Sequence, residues 1–139
     1  MRTPLSKQNH TLFLLTVGLL AWLFPGAGHL LLKERKRALI IFTTIVFTFC
    51  VGLYIGSIGI INPVGAKSWY VAQIINSPIV AVLGYLATTG DYPVFGRPNE
   101  IGQIYTTIAG LLNLLCIVNA VYLAHLRRTD DRKQMTEDR

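Results

Sequence analysis

The sequence predicts an all-α integral membrane protein, a bundle of about four hydrophobic helices. Four stretches, Gln8 to Leu32, Ala38 to Ala66, Ser68 to Gly90 and Ile101 to Leu126, hold no Asp, Glu, Lys or Arg. Each exceeds the ~18 apolar residues that a helix needs to cross the hydrocarbon core of a bilayer. Of the 139 residues 52% are hydrophobic, and the mean hydropathy of +0.46 is that of integral membrane proteins rather than soluble bundles. The length leaves room for a single helical membrane domain, residues 1–126, with hydrophobic segments at about 11–32, 38–61, 69–89 and 101–126. The remainder, 127–139, is charged, poor in apolar residues and expected to be disordered.

Segment one follows Arg2 and Lys7, and its apolar run Leu12 to Phe24 with the small residues Gly26, Ala27 and Gly28 imitates a secretory leader cut after Gly28. The expectation is a retained helix. Pro25-Gly26 then predicts a kink, break or tight turn, because proline lacks a backbone donor and glycine reaches conformations other residues avoid. Segment two is the strongest span, with Gly52 and Gly56 spaced four apart to admit a second helix closely. Asn62-Pro63-Val64-Gly65 is a turn signal, and Trp69-Tyr70 reads as an interfacial anchor. In segment three Gln73, Asn76, Ser77, Ala81, Gly84 and Tyr85 fall on one face of a continuous helix, which predicts that this face points into the bundle. Asn99 is placed to cap the last helix and Glu100 to sit in its first turn. Segment four lines up Gly102, Thr106, Gly110 and Asn113 as a packing seam of small and polar residues.

The net charge of +6 and pI near 9.6 come from clusters beside the apolar runs, Lys33 to Arg37 and Arg127 to Lys133. Such clusters set membrane orientation rather than nucleic-acid binding. Two arrangements fit them. Four ordinary spans put Lys33 to Arg37 opposite the basic tail. If the Pro25 and Pro78 segments are instead re-entrant, the N-terminus, Lys33 to Arg37 and the tail share one side, leaving Lys67 and Arg97 on the other. The charge rule prefers the second and the rarity of re-entrant helices the first, so four spans are expected, with the C-terminus cytoplasmic either way.

Candidate chemistry is sparse. His29 is the one ionisable side chain set well inside an apolar run and is therefore the candidate for haem ligation, proton relay or a lipid head group. With no second histidine or carboxylate in its segment, a structural role bonding a carbonyl freed by Pro25 is preferred, and no cofactor is expected. Asp91, Arg97 and Glu100 share one loop but read as capping and ion pairing rather than catalysis. Cys50 and Cys116 read as small apolar residues, and no metal spacing is present. Lys33, Arg35, Lys36 and Arg37 are the candidates for anionic lipid head groups.

Trp22 to Leu30, followed by Lys33 to Arg37 and Ala38-Leu39-Ile40, resembles the paired-helix membrane domains in which a Pro-Gly-x-Gly-His-like element leads through a charged turn into a second helix. That resemblance covers about residues 18–49; Leu31-Leu32-Lys33 stand where the pattern has an aromatic and a glycine after the histidine. The whole chain, including Asn99 to Tyr105 leading into Ala109 to Asn113, is similar to a bacterial family of small inner-membrane proteins of unknown function. The resemblance implies a fold and a location and carries no reaction. The expected function is a non-enzymatic accessory or assembly subunit of a larger inner-membrane complex, touching lipid and other integral membrane subunits but no nucleic acid. The alternative is a small oligomeric transporter or lipid-handling protein, with the broken helices and Gln73, Asn76, Ser77 and His29 along a polar path.

Overall fold

A computed structural model describes residues 7–90, 92 and 96–137, and among these every regular element is helical. The elements are α1 (Lys7–Leu23), α2 (Ala27–Leu31), α3 (Arg35–Gly56), a 3-10 turn (Ile58–Ile60), α4 (Lys67–Ile74), α5 (Ile79–Thr89) and α6 (Arg97–Glu137). Two helical stretches, Arg35–Gly56 and Arg97–Asp130, are long and apolar enough to cross a membrane. Segments one and three do not make continuous spans, which corrects the expectation of four full-length helices. Each breaks at its proline and doubles back.

The first break has a plain steric cause. At Gly26 φ is +86°, and a Cβ there would lie 2.6 Å from the Ala38 carbonyl oxygen, so the turn needs a residue without one. The chain then returns along itself: a Cβ on Gly28 would come 2.9 Å from Ala21 Cβ and 3.2 Å from Val17 O. By Leu32 the chain is back among Phe13 and Leu14, beside Ala120 and Ala124 of α6. The hairpin α1–α2 therefore starts and finishes at one end of the molecule.

The second hairpin enters from the other end. Asn62 Oδ1 accepts the backbone N–H groups of Val64 at 2.9 Å and Gly65 at 2.8 Å, an Asx turn that launches α4. After Ile74 the helix breaks, and α5 returns with Gly84 against Tyr70 and Ile61. The break resets the helical phase, which is why Ala81 and Tyr85 face outward, contrary to the expected inward face, while Gln73, Asn76, Ser77 and Gly84 are buried.

The long helix α6 is the common wall. Its first half faces α3, where a Cβ on Gly52 would meet Thr106 Cγ2 at 2.7 Å and one on Gly102 would meet Gly56 Cα at 2.7 Å. Farther along, Gly110 lies directly beneath the Ala72 carbonyl of α4, and Ala120 and Ala124 pack with Val17 and Leu32. The helix starts at Arg97 rather than after Asn99, because Gly96, at φ +76°, turns the chain and accepts the Asn99 and Glu100 N–H groups itself. Glu100 does fall in the first turn. At the far end the helix continues to Glu137, so residues 127–137 are helical rather than the expected disordered tail. Arg127 tethers that continuation by donating to Leu32 O and Glu34 Oε1.

Candidate functional site

The tips of the two hairpins meet near the middle of α6. Helices α1 and α4 both end there, so two sets of carbonyls without intrahelical partners converge away from water. Three side chains answer them. Asn113 Nδ2 donates to Asn76 O at 2.8 Å, Ile75 O at 3.1 Å and Ala21 O at 3.4 Å, bridging both tips from α6. Trp22 Nε1 donates to Ile74 O at 3.1 Å, and Ser77 Oγ donates to Leu23 O at 3.1 Å, each crossing from one hairpin to the other. A further bond fixes α4 on α6: Gln73 Nε2 donates to Thr106 Oγ1 at 2.8 Å, whose own hydroxyl donates back to Gly102 O at 2.9 Å.

Asn113, Gln73 and Thr106 are fully buried, and Gln73 Oε1, Asn76 Oδ1 and Asn113 Oδ1 lie away from any donor. Asn113 spends its donor on the broken helix ends and Gln73 its own on Thr106, while the three amide oxygens have no protein partner. Trp22→Phe keeps an aromatic ring but removes the Ile74 bond together with part of the indole's volume. Thermal unfolding in detergent should show a loss of about 1–3 kcal/mol, one neutral hydrogen bond plus the packing left unfilled.

The predicted packing residues are brought together as two contacts: Gly52 and Gly56 against Gly102 and Thr106, and Gly110 against α4 with Asn113 just beyond it. His29 is buried in α2, its Nδ1 without a partner and its carbonyl accepting the Glu34 N–H at 2.9 Å. Among the described residues no group of three His, Cys, Asp or Glu side chains is placed to hold a metal. Asp91 of the candidate acidic loop lies outside the described residues, as do Pro93, Val94 and Phe95.

Lys33, Arg35, Lys36 and Arg37 are all exposed at the end where α1 begins. Arg37 lies 3.9 Å from Glu34, an exposed pair worth little. Sequence reasoning missed that α6 returns its own cations here. A recess of about 370 Å³ is lined by Phe13, Leu31, Leu32, Lys33, Arg127 and Arg128, with Ala124 at its base. The rings of His10 and His125 lie 5.1 Å apart at the same end. No local pattern joins residues so far apart in sequence; only the antiparallel run of α1 and α6 does. At the opposite end a more polar recess of about 660 Å³ is bordered by Asn62, Lys67, Ser68, Trp69, Asn99 and Gln103.

Comparison with known proteins gives one match. The model of a family of unknown function, DUF6677, covers residues 16–133. No curated protein matches the chain, and no solved structure does.

Proposed function

We propose that this chain, which belongs to the DUF6677 family of unknown function, is a non-enzymatic accessory or assembly subunit of a larger integral membrane complex. Its home is a bacterial cytoplasmic membrane, with the basic end and the C-terminus inside, as the charge bias favours. The observation that supports this most is the outer face of α3. Ile40, Thr43, Phe47, Cys50 and Tyr54 are all exposed at spacings of three and four, the pattern of a helix seam. The glycine contacts are consumed inside the molecule, so a partner would meet an exposed apolar face such as this one, where Tyr54, at 91% exposure, is the most exposed large hydrophobic side chain among the described residues.

Cys50 gives the test. With Cys116 replaced by serine, a photo-cross-linker on Cys50 in native membranes should give one discrete adduct with a single integral membrane protein, in a complex of fixed stoichiometry. A smear of adducts, or lipid adducts alone, would remove the reading.

A second reading, a small oligomeric transporter, draws on the hairpin tips. Three amide oxygens without a protein partner gather there, acceptors that suit a cation. Cation flux in liposomes that disappears in Asn76→Leu would favour it over the subunit reading. A stable monomer without flux would exclude it.

A further inference from the structure

We propose that the recess between α1, α2 and α6 binds one anionic phospholipid, with its phosphate held by Lys33 and Arg128 and its acyl chains lying along α1 and α2. The site is separate from the α3 stripe and stands whether or not the subunit reading does.

The recess combines a cationic rim with an apolar floor. Lys33, Arg127 and Arg128 form the rim, and Phe13, Leu31, Leu32 and Ala124 the floor. Arg127 donates to Leu32 O and Glu34 Oε1, which fixes one edge of the rim. The guanidinium of Arg128 lies 5.0 Å from the Phe13 ring centroid, and this stacking places it at the boundary between rim and floor. On α2 the apolar lining continues outward through Leu31 and its neighbour Leu30, 44% and 57% exposed, which is a path for hydrocarbon and not for a free anion.

The backbone at Lys33 adds an independent sign. Its φ is +62° at the turn from α2 to α3, a conformation that glycine adopts without strain and lysine does not. A turn alone would be better served by glycine. The strained position instead carries an ammonium group to the mouth of the recess. The recess also lies at the basic end, where Arg35, Lys36 and Arg37 are exposed. By the positive-inside rule that end meets the cytoplasmic leaflet, where anionic lipids reside.

The experiment uses the full chain in neutral detergent, titrated with phosphatidylglycerol or phosphatidylcholine and followed by thermal unfolding and native mass spectrometry. Phosphatidylglycerol should bind at least about tenfold more tightly, as each cation near a charged surface contributes ~1 kcal/mol. Lys33→Gln with Arg128→Gln should abolish that preference. The equally neutralised control, Arg35→Gln with Lys36→Gln, removes cations outside the lining of the recess and should keep most of that preference. Lys33→Gly guards against misfolding: it should unfold no earlier than wild type in phosphatidylcholine, yet lose most of the phosphatidylglycerol preference. Equal binding of the two lipids would overturn the proposal, as would equal weakening in both double variants. So would stabilisation by inorganic phosphate matching that by the lipid, which would mean an anion site without a lipid.

Discussion

Gly102→Ala should destabilise the protein by about 2–3 kcal/mol, the scale of forcing extra volume into a packed contact. The added Cβ would stand 2.7 Å from Gly56 Cα, 2.9 Å from Gly52 O and 3.0 Å from Gly56 N, all of them backbone atoms that no rotamer change moves aside. The α3–α6 contact must open instead, which loses the close van der Waals packing between the two helices. Gly18→Ala is the matched control. Its nearest neighbour would be Val121 Cγ2 at 3.4 Å, an ordinary contact, so its unfolding temperature should be unchanged or slightly raised. Thermal unfolding of the two variants in one detergent compares them directly. Equal behaviour would mean that the α3–α6 contact is looser than it is drawn.

Asn113→Leu should cost about 2 kcal/mol, above the usual worth of a single interhelical hydrogen bond in membrane proteins. One amide serves three carbonyls on two different hairpins, and leucine leaves all three in an apolar setting. The variant should also loosen both tips together. With Trp69 replaced by phenylalanine, Trp22 is the remaining indole, and its emission should shift to the red in Asn113→Leu as water reaches the tips. If stability falls while Trp22 emission stays put, Asn113 supports α4 alone and does not join the hairpins.

Much of this arrangement was legible in the chain, for reasons that differ by residue. The spacing of Gly52 and Gly56 marks a face for close approach, and the structure sets it against Gly102 and Thr106. Pro25-Gly26 and Pro78 mark the breaks. Whether the chain continues past a break or turns back depends on what waits beyond it, and those groups, Asn113 and Ala120, lie about 90 residues later than the first break. The charge clusters point to the returning path, with Lys33 to Arg37 beside the start of α1, whereas the rarity of re-entrant helices points to ordinary spans. The expected face of segment three failed for a simpler reason. Helical periodicity holds only within one helix, and Gln73 and Tyr85 belong to two. Asn99 lost its predicted capping role because Gly96 already supplies the carbonyl that starts α6. The helical tail was hidden because composition describes a free segment, whereas Arg127 is pinned to the α2–α3 turn.

The placement of α6 also bears on how such a chain is made. Val17 and Leu32 of the first hairpin pack on Ala120 and Ala124, and its turn is held by Arg127, all near the end of the sequence. The tip of the second hairpin waits for the same helix. A ribosome that has released only residues as far as Thr89 has delivered both hairpins without the wall that seats either of them. During synthesis the freed carbonyls at Pro25 and Pro78 must therefore find other partners, water or a protein that attends the nascent chain, until α6 arrives. A chain truncated before Asn113 would leave both hairpins without the wall that seats them.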